Sequence, residues 1–223
     1  MAPRRGHVLL VAAAVVLGGA VVASAASLGV VPARLTSHSA ASSIAATTCT
    51  LAAPAADSYV DGTALFTTSN FGSSPDLHAR SSLLGNRRSF LRFDLSTCAI
   101  PSSARVTNAT LRLFMSQAPG SSRTYETRQV TTSWVESTVT YSNQPSGALS
   151  ATSTTASGTT SGVTLAWPVT GDVQSFVSGA LTNNGWRVAD TAEGAVVPVD
   201  GTFGSRERAT AAERPTLTIT YYP

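Results

Sequence analysis

The sequence predicts an all-β protein, an antiparallel β-sandwich of jelly-roll type with one short helix. Apolar and polar residues alternate in several short segments, turn residues separate these segments, and helical spacing occurs in one short stretch. The chain has 223 residues, of which 43% are hydrophobic and 12% are charged. That is enough for one domain with a proper core.

The first 25 residues are predicted to be a secretory signal peptide. The pair Arg4-Arg5 precedes an uncharged apolar run from Val8 to Val22, and Ala23-Ser24-Ala25 has the small-x-small pattern of a cleavage site. The alternative is a retained anchor, but a bilayer span needs about 20 predominantly apolar residues. Gly6-His7 stands where a twin-arginine signal prefers apolar residues, which favours the general secretory route. We therefore expect a secreted protein, free or attached at the cell surface, without membrane contact after cleavage.

The charge balance argues against a nucleic-acid partner. All 15 basic residues are arginines, and loss of Arg4 and Arg5 with the signal leaves 13 against 12 acidic residues, a net charge of +1. No basic run or strand-tracking aromatic repeat accompanies this balance. We therefore expect no nucleic-acid binding.

Residues 26–51 are rich in Ala, Ser and Thr without a sustained apolar period, which predicts a spacer. The β-sandwich is predicted over residues 52–223, with a monomer as the default state. Cys49 and Cys98 are the two cysteines of the chain, and export permits them to form a disulfide. The alternative is two independent buried thiols.

The segment 87–96 alternates clearly and predicts a strand that is buried on one face only. Leu91, Phe93 and Leu95 lie on its apolar side, while Arg88, Phe90, Arg92 and Asp94 lie on the other. Two arginines on one strand surface indicate that a partner could bind there.

The remaining elements follow from the same patterns. Residues 105–116 predict a second amphipathic strand, with Leu111, Leu113 and Met115 on one side. Residues 134–145 predict a mixture of turn and strand, and residues 146–161 either a long mobile loop or a flexible strand excursion. Val173, Phe176, Val177 and Ala180 have helical spacing and predict a short helix over residues 171–180. Further strands are predicted at residues 57–60, 77–80, 125–130, 164–169, 186–189, 202–203 and 216–222.

A set of segments in a defined order resembles a known family. The segments are Ala56-Asp57-Ser58-Tyr59-Val60, Asn70-Phe71-Gly72, Arg88 to Leu95, Ala109 to Leu113, Trp134-Val135-Glu136, Thr140 to Pro145, Val169-Thr170 with Val173, Asn184-Gly185-Trp186, Phe203-Gly204-Ser205-Arg206-Glu207 and Arg214-Pro215-Thr216-Leu217. Over about residues 57–221 the chain is similar to the DNRLRE domain, which is grouped with carbohydrate-binding module family 96 and the disaggregatase-related proteins. The resemblance implies a jelly roll whose known members bind polysaccharide, alginate in particular, without catalysis. Pro168 departs from the pattern, since the family usually has Asp there.

Basic side chains give a separate argument for a sugar ligand. Planar guanidinium groups suit carboxylates, which a uronic-acid polymer presents on every residue. An aromatic ring can add an apolar surface against a sugar ring. The alternative is that the arginines form a solvated face or pair with Asp94 and Glu126. The predicted ligand-binding residues are His78, Arg80, Arg88, Phe90, Arg92, Arg112 and Tyr222.

The function predicted from the sequence is that of a secreted, non-catalytic module for an anionic, alginate-like polysaccharide. An extracellular structural or adhesion module is the alternative from a different class, and the Ser/Thr-rich segments are compatible with it. Glycoside hydrolysis would have to use Asp190, Glu193, Asp200 or Glu207, the carboxylates of one cluster. We expect Glu207 instead to pair with Arg206, Arg214 or backbone amides.

Other enzyme classes have little support. A Ser-His-Asp triad would need His38 or His78, and the sequence has no GxSxG elbow. A uronate lyase acting through Tyr and Arg is a less favoured option that no residue pattern marks.

No cofactor is predicted. Asp57, Asp61, Asp94 and Asp190 are oxygen ligands that a sandwich could gather around Ca²⁺, but EF-hand spacing is lacking, so no metal site is assigned.

Overall fold

The computed structural model describes residues 45–223. The predicted signal peptide and most of the predicted spacer lie outside the described residues. The described part has eleven strands, one α-helix and two short 3-10 helices. The strands are β1 (Thr47–Leu51), β2 (Ala56–Asp61), β3 (Asp76–Ser81), β4 (Arg87–Arg92), β5 (Arg105–Gln117), β6 (Thr124–Gln129), β7 (Ser153–Ala156), β8 (Val163–Pro168), β9 (Trp186–Asp190), β10 (Val199–Gly204) and β11 (Thr216–Tyr222). The helices are α1 (Thr170–Val177) and the 3-10 helices Leu95–Cys98 and Ala211–Glu213.

The strands form one curled antiparallel sheet. Hydrogen bonds join them in the order β1-β11-β5-β10-β3-β4-β9-β6-β7, with β2 paired to β4 and β8 paired to β5. Because β10 pairs with both β5 and β3, the sheet continues around the core, and its two halves enclose one large apolar cluster. The predicted all-β fold of jelly-roll type is confirmed.

The alternating segments supply the core, as the sequence predicts. Leu111, Leu113 and Met115 of β5 are fully buried. Trp167 of β8 is also buried, and its indole Nε1 donates a hydrogen bond of 3.0 Å to the carbonyl oxygen of Tyr125 in β6. This bond ties the half of the sheet around β5 to the half around β6 and leaves the buried indole satisfied.

The predicted short helix is present and packs against the core. Val173 and Phe176 of α1 are buried, and the Phe176 ring lies 5.5 Å from the ring of Trp186. The Trp186 indole Nε1 donates to Asp172 Oδ2 at 2.8 Å, so the helix is fixed to β9 by a polar contact as well. No helix in residues 45–223 is long and apolar enough to span a bilayer.

The predicted spacer is wrong at its end, because residues 47–51 form β1. This strand pairs with β11, and its Thr48 and Thr50 hydroxyls contact those of Thr220 and Thr218. Cys49 and Leu51 alternate with threonines here, but two apolar residues are too short a pattern to identify a strand, which is why the sequence pattern missed it. The predicted disulfide between Cys49 and Cys98 is confirmed, with a Cα–Cα distance of 5.9 Å.

The prediction that β4 is buried on one face only is wrong. The strand ends at Arg92, and Phe90, on its supposed polar side, is fully buried. A turn-rich stretch, residues 130–147, covers this side, and we call it the cap segment. Its Trp134 and Val139 form a second apolar cluster with Phe90, against which Tyr141 packs.

The cap segment contains no named strand in the described structure, only an isolated bridge between Val130 and Gly147. The strand part of the prediction for residues 134–145 is therefore wrong. In the Ser/Thr-rich stretch 146–161, residues 153–156 form β7 and pair with β6, so the strand alternative holds for that part.

Gly185 explains why the motif Asn184-Gly185-Trp186 contains a glycine. Gly185 has a φ of +79°, and a Cβ there would lie 1.9 Å from the carbonyl oxygen of Leu91 in β4. Only glycine fits both the backbone conformation and the close approach. The Asn184-Gly185-Trp186 motif therefore maintains the junction between the cap segment, β4 and β9.

Candidate functional site

The seven predicted ligand-binding residues lie in three separate places. His78 and Arg80 are on β3, Arg88, Phe90 and Arg92 are on β4, and Arg112 and Tyr222 are on β5 and β11.

His78 and Arg80 are engaged with polar atoms of the protein itself. Arg80 Nη2 donates to Asp61 Oδ1 at 3.1 Å and to Thr63 Oγ1 at 2.6 Å. His78 Nδ1 lies 3.2 Å from Asp200 Oδ2. Both basic side chains are less than one fifth exposed. The structure therefore assigns them a role in holding β3 against its neighbours.

Arg88 is also internally paired. Its Nε and Nη2 donate to the two carboxylate oxygens of Glu193, at 2.7 and 2.5 Å, and its Nη1 donates to Gln144 Oε1 at 3.0 Å. The hydrogen bond to Glu193 is the main reason why the pKa of Arg88 is raised. The guanidinium also lies over the ring of Tyr141, 5.5 Å from its centroid. Phe90, next to it, has no exposed ring surface for a sugar to pack on.

Arg92 differs from these arginines. Its guanidinium lies 5.8 Å from the centroid of the Trp134 ring, and within residues 45–223 its side chain has no hydrogen bond or ion pair. It lines a cavity of about 340 Å³ together with Ala55, Asp94 and Asn183. A cation stacked on an aromatic ring is held in position while its N–H donors remain available.

Two further cavities are lined by residues that this cavity shares or that follow its lining residues directly in the chain, and we call the three cavities together the end groove. One, of about 320 Å³, shares Ala55 and Asp94 with the cavity of Arg92. The other, of about 470 Å³, is lined by Asn184, directly after Asn183. The lining residues of the end groove are Thr50–Ala55, Arg92–Asp94, Thr97, Gln129–Thr131, Ser133, Ala180–Thr182, Asn183 and Asn184.

The lining of the end groove is largely neutral, with hydroxyl, amide and small apolar side chains. Arg92 and Asp94 are the charged residues among the described lining positions. Asp94 Oδ1 accepts from the backbone N–H of Ser96 at 3.0 Å, and hydrogen bonds from Ser96 are the first cause of its lowered pKa. The Asp94 carboxylate thus caps the 3-10 helix, while the Arg92 guanidinium has no hydrogen-bond or ion-pair partner among residues 45–223.

Arg112 and Tyr222 lie on the outer face of the sheet, away from β4. Arg112 is exposed between Ala166 of β8 and Thr216 of β11. Tyr222 is 38% exposed and pairs with Arg105. The structure does not bring these two residues together with the other predicted ones.

A further polar network involves residues that were not predicted as a site. Three carboxylates, Asp57 of β2, Glu136 of the cap segment and Glu207 after β10, offer oxygens within 4.8 Å of one another. Arg206 joins them: its Nε donates to Glu207 at 2.8 Å and its Nη2 to Glu136 at 2.6 Å. Its backbone N–H donates to Asp57 at 2.9 Å. We call this group the carboxylate cluster.

Asp57 is the most buried member of the carboxylate cluster, with 1% of its surface exposed. Burial raises its pKa to about 8, and the neighbouring Glu207 and Glu136 carboxylates act in the same direction. At neutral pH the cluster therefore retains a proton on this carboxyl group.

The four aspartates considered for Ca²⁺ do not converge. Asp57 belongs to the carboxylate cluster, whereas Asp61 accepts from Arg87, Asp94 from Ser96 and Asp190 from Arg123. Calcium needs six to eight oxygen ligands. In the carboxylate cluster Arg206 already occupies oxygens of two carboxylates. The donor set thus fits an internal arginine better than a calcium ion.

Segments of the family-like pattern meet at this cluster. Asn70 Nδ2 donates to the carbonyl oxygens of Glu136 and Val139, at 2.7 and 2.8 Å. A Cβ on Gly72 would lie 2.5 Å from the Glu136 carbonyl oxygen. The Asn70-Phe71-Gly72 motif therefore holds the cap segment in place.

Replacing Asn70 by Ala should destabilise the fold by about 1–3 kcal/mol, because two carbonyl oxygens of the cap segment lose their donor. Urea unfolding of N70A measures the loss. Asn108→Ala is the matched control, since Asn108 is exposed on the outer face of β5 and should change stability by less than about 0.5 kcal/mol. Equal effects of the two substitutions would contradict this role of Asn70.

The carboxylates considered for glycoside hydrolysis are held by four different arginines. The pairs are Asp190 with Arg123, Glu193 with Arg88, Asp200 with Arg87, and Glu207 with Arg206. The expected pairing of Glu207 with Arg206 is confirmed.

Two arginines near Arg88 were not predicted as candidates. Arg128 of β6 and Arg187 of β9 lie opposite each other on the same sheet face. The signal in the sequence was the alternation of Arg187 with Trp186 and Val188, both of which are buried. That alternation puts a cation on the non-core side of a central strand, as it does for Arg88.

A family model described as carbohydrate-binding module family 96 matches residues 48–221. A search of curated proteins finds no match.

Proposed function

The chain belongs to carbohydrate-binding module family 96, and on this basis we propose that it is secreted and binds a uronate-containing, alginate-like polysaccharide in the end groove, without catalysis. Membership of this family makes the protein a carbohydrate-binding module. The anionic ligand, the place of binding and the secretion are our proposal.

The free guanidinium of Arg92 is the observation that carries the proposal. It lines the end groove and is stacked on Trp134. Arg80 and Arg88 direct most of their donors to acceptors within the protein, so their affinity for an external carboxylate is reduced. Arg92 can donate two parallel N–H bonds to a uronate carboxylate without breaking an internal pair.

The neutral lining of the groove suits the rest of a sugar chain. Gln129, Thr131, Ser133 and the Asn183-Asn184 pair contribute amide or hydroxyl groups to the wall. Such groups both donate and accept hydrogen bonds, as sugar hydroxyls do. Leu181, 48% exposed, adds an apolar contact surface. The two cavities that share Ala55 and Asp94 give room for more than one sugar unit.

The disulfide supports secretion. Cysteine pairs persist in oxidising compartments and are rare in the cytosol, and both cysteines in the described part of the chain form one bond. This agrees with the signal peptide predicted at residues 1–25.

The test is a calorimetric titration of the mature protein with defined oligouronates, which measures the binding affinity. Arg92→Ala should weaken binding about 10-fold to 100-fold, because a hydrogen bond to a charged group contributes roughly 1.5–3 kcal/mol. The matched control is Arg112→Ala, which removes an exposed arginine of β5 that does not line the end groove and should leave the affinity unchanged. Circular dichroism verifies that both variants fold.

Unchanged affinity in R92A, or a loss in R112A of the same size, would contradict the assignment of the end groove. Absence of retention on any insoluble polysaccharide or glycan array would favour the extracellular structural or adhesion module instead. Unsaturated products after incubation with polyuronates would reveal a lyase and overturn the non-catalytic part of the proposal.

A further inference from the structure

A second basic surface lies on the sheet face formed by β4, β9 and β6, beside the cap segment. In the register of these strands Phe90 is opposite Arg187, and Arg187 is opposite Arg128. Arg88 and Glu126 lie on the same face, two residues away along their strands. Three guanidinium groups and their acidic partners therefore occupy one surface.

The charges on this surface do not balance. Glu193 binds Arg88 through both carboxylate oxygens. Glu126 binds Arg128 in the same way, through Nε and Nη2. Two carboxylates thus neutralise two arginines, and Arg187 is a third cation without a carboxylate of its own.

Arg187 is incompletely paired. Its Nη2 donates to Glu126 Oε1 at 2.8 Å, an oxygen that already accepts from Arg128. Its Nε is buried and has no partner within residues 45–223, and the hydrogen bond of this side chain in that part of the chain comes from Nη2. Burial, followed by the nearby charge of Arg88, lowers the pKa of Arg187. A buried, unpaired charge-bearing donor costs stability unless something compensates it.

We propose that Arg187 is the centre of a carboxylate-binding site on this face, distinct from the end groove. An incoming carboxylate would accept from Nη1, because Nε is closed to solvent. The Arg187 side chain is 19% exposed, and those of Arg88 and Arg128 are 20% and 25% exposed. An anion at the surface can therefore reach the guanidinium edge.

The charge surplus determines the ligand class. One excess positive charge is neutralised by one singly charged carboxylate. A doubly charged phosphate or sulfate would leave an excess negative charge beside Glu126 and Glu193, which are themselves held within this network. We therefore expect a carboxylate, either from a uronate unit of a polymer or from a small organic acid.

This inference goes beyond the proposed function, because a carboxylate could bind Arg187 even if the end groove bound nothing. If both sites engage one uronate polymer, the second contact raises the apparent affinity through effective concentration.

The test observes Arg187 directly. The side-chain Nε–H resonances of arginine in ¹⁵N-labelled protein are followed while sodium acetate, glucuronate monomer or sodium sulfate is added at constant ionic strength. We expect the Arg187 signal to shift saturably with acetate and with glucuronate, and sulfate to bind at least several-fold more weakly. Arg187→Gln should abolish the saturable shifts of its neighbours, whereas the matched control Arg112→Gln should retain them.

Two further variants separate this site from others. Arg92→Ala should leave acetate binding at Arg187 unchanged, so failure of the end groove would not affect the result. Glu193→Gln frees Arg88 and adds a second surplus charge, so acetate should bind several-fold more tightly. Because R187Q removes an unsatisfied buried donor, we expect it to fold, and its melting temperature verifies this.

The outcomes are distinct. Acetate and glucuronate both acting at Arg187 would indicate a site that accepts uronate carboxylates, and acetate alone a site for small acids; either supports the proposal. Absence of a saturable response in the wild-type protein, an unchanged response in R187Q, or equal affinity for sulfate and acetate would overturn it.

Discussion

Removal of the Cys49–Cys98 disulfide should lower the free energy of unfolding by about 4 kcal/mol. The bond joins residues 49 positions apart, and opening it lets the unfolded chain explore many more conformations. For a domain of this size the melting temperature should fall by about 8–16 °C. Calorimetric melting of the double variant C49A/C98A, beside the oxidised wild-type protein, measures both quantities.

Thr48→Ala is the matched control for this experiment. It trims β1 next to the disulfide and removes only the hydroxyl contact with Thr220, so it should cost less than about 1 kcal/mol. A loss of under 1 kcal/mol in C49A/C98A would show that β1 is held by its pairing with β11 alone.

The second large effect is a pH dependence caused by Asp57. Its pKa is about 8 in the folded protein, above the usual value of 3.8, chiefly through burial. The folded state therefore holds a proton that the unfolded state releases, so the stability contributed by this group is fully present below about pH 4. It is lost as the pH rises toward about 8, by at most about 1.4 kcal/mol per pH unit.

Asp57→Asn should remove this slope. The asparagine keeps an oxygen that can accept from the Arg206 backbone N–H and supplies a donor toward Glu207, as a protonated carboxyl group does. Urea unfolding at intervals between pH 4.5 and 8.5 should show wild-type stability falling relative to D57N. Asp94→Asn is the control, since Asp94 is exposed and its pKa is lowered, so its titration lies below this pH window. Parallel profiles of the wild-type protein and D57N would rule out a proton on Asp57.

The sequence could predict those parts of the fold that depend on local alternation. Leu111, Leu113 and Met115 on β5, and Val173 and Phe176 on α1, occupy the core because their spacing matches the period of their own element. The disulfide was predictable because the chain has two cysteines in a context that favours export. Neither inference required knowledge of which elements pack together.

The second face of β4 could not be predicted in this way. The cap segment, residues 130–147, covers this face. It is rich in turns, and its residues that contact Phe90 are about 40 positions away from it in the chain. Arg88, Phe90 and Arg92 have the same period-two spacing whether their face is exposed to water or is covered by the cap segment. The aromatic rings of Trp134 and Tyr141, on which the arginines stack, are the part that alternation does not encode.

Local alternation also could not distinguish the arginines of the candidate sites from one another. Arg92 was predicted as a ligand-binding residue by its place on β4, and the structure adds the groove beside it. Arg80 and Arg88 were indistinguishable from it in sequence, because their partners Asp61 and Glu193 are distant along the chain. Arg187 was overlooked because its importance lies in a missing partner, which only the three-dimensional arrangement reveals.

The pairing of β1 with β11 makes a threonine-rich strand, and not the strand of Leu217 and Ile219, the edge of the sheet. Every residue of β1 lies opposite one of β11, so the outer hydrogen-bonding edge of the buried Leu217 and Ile219 segment is covered by a strand of threonines. A protein starting at residue 52 would expose that edge, which could then pair with the edge of another copy. It would also leave Cys98 without its partner, so that such a truncated protein would be liable to both strand addition and intermolecular disulfides.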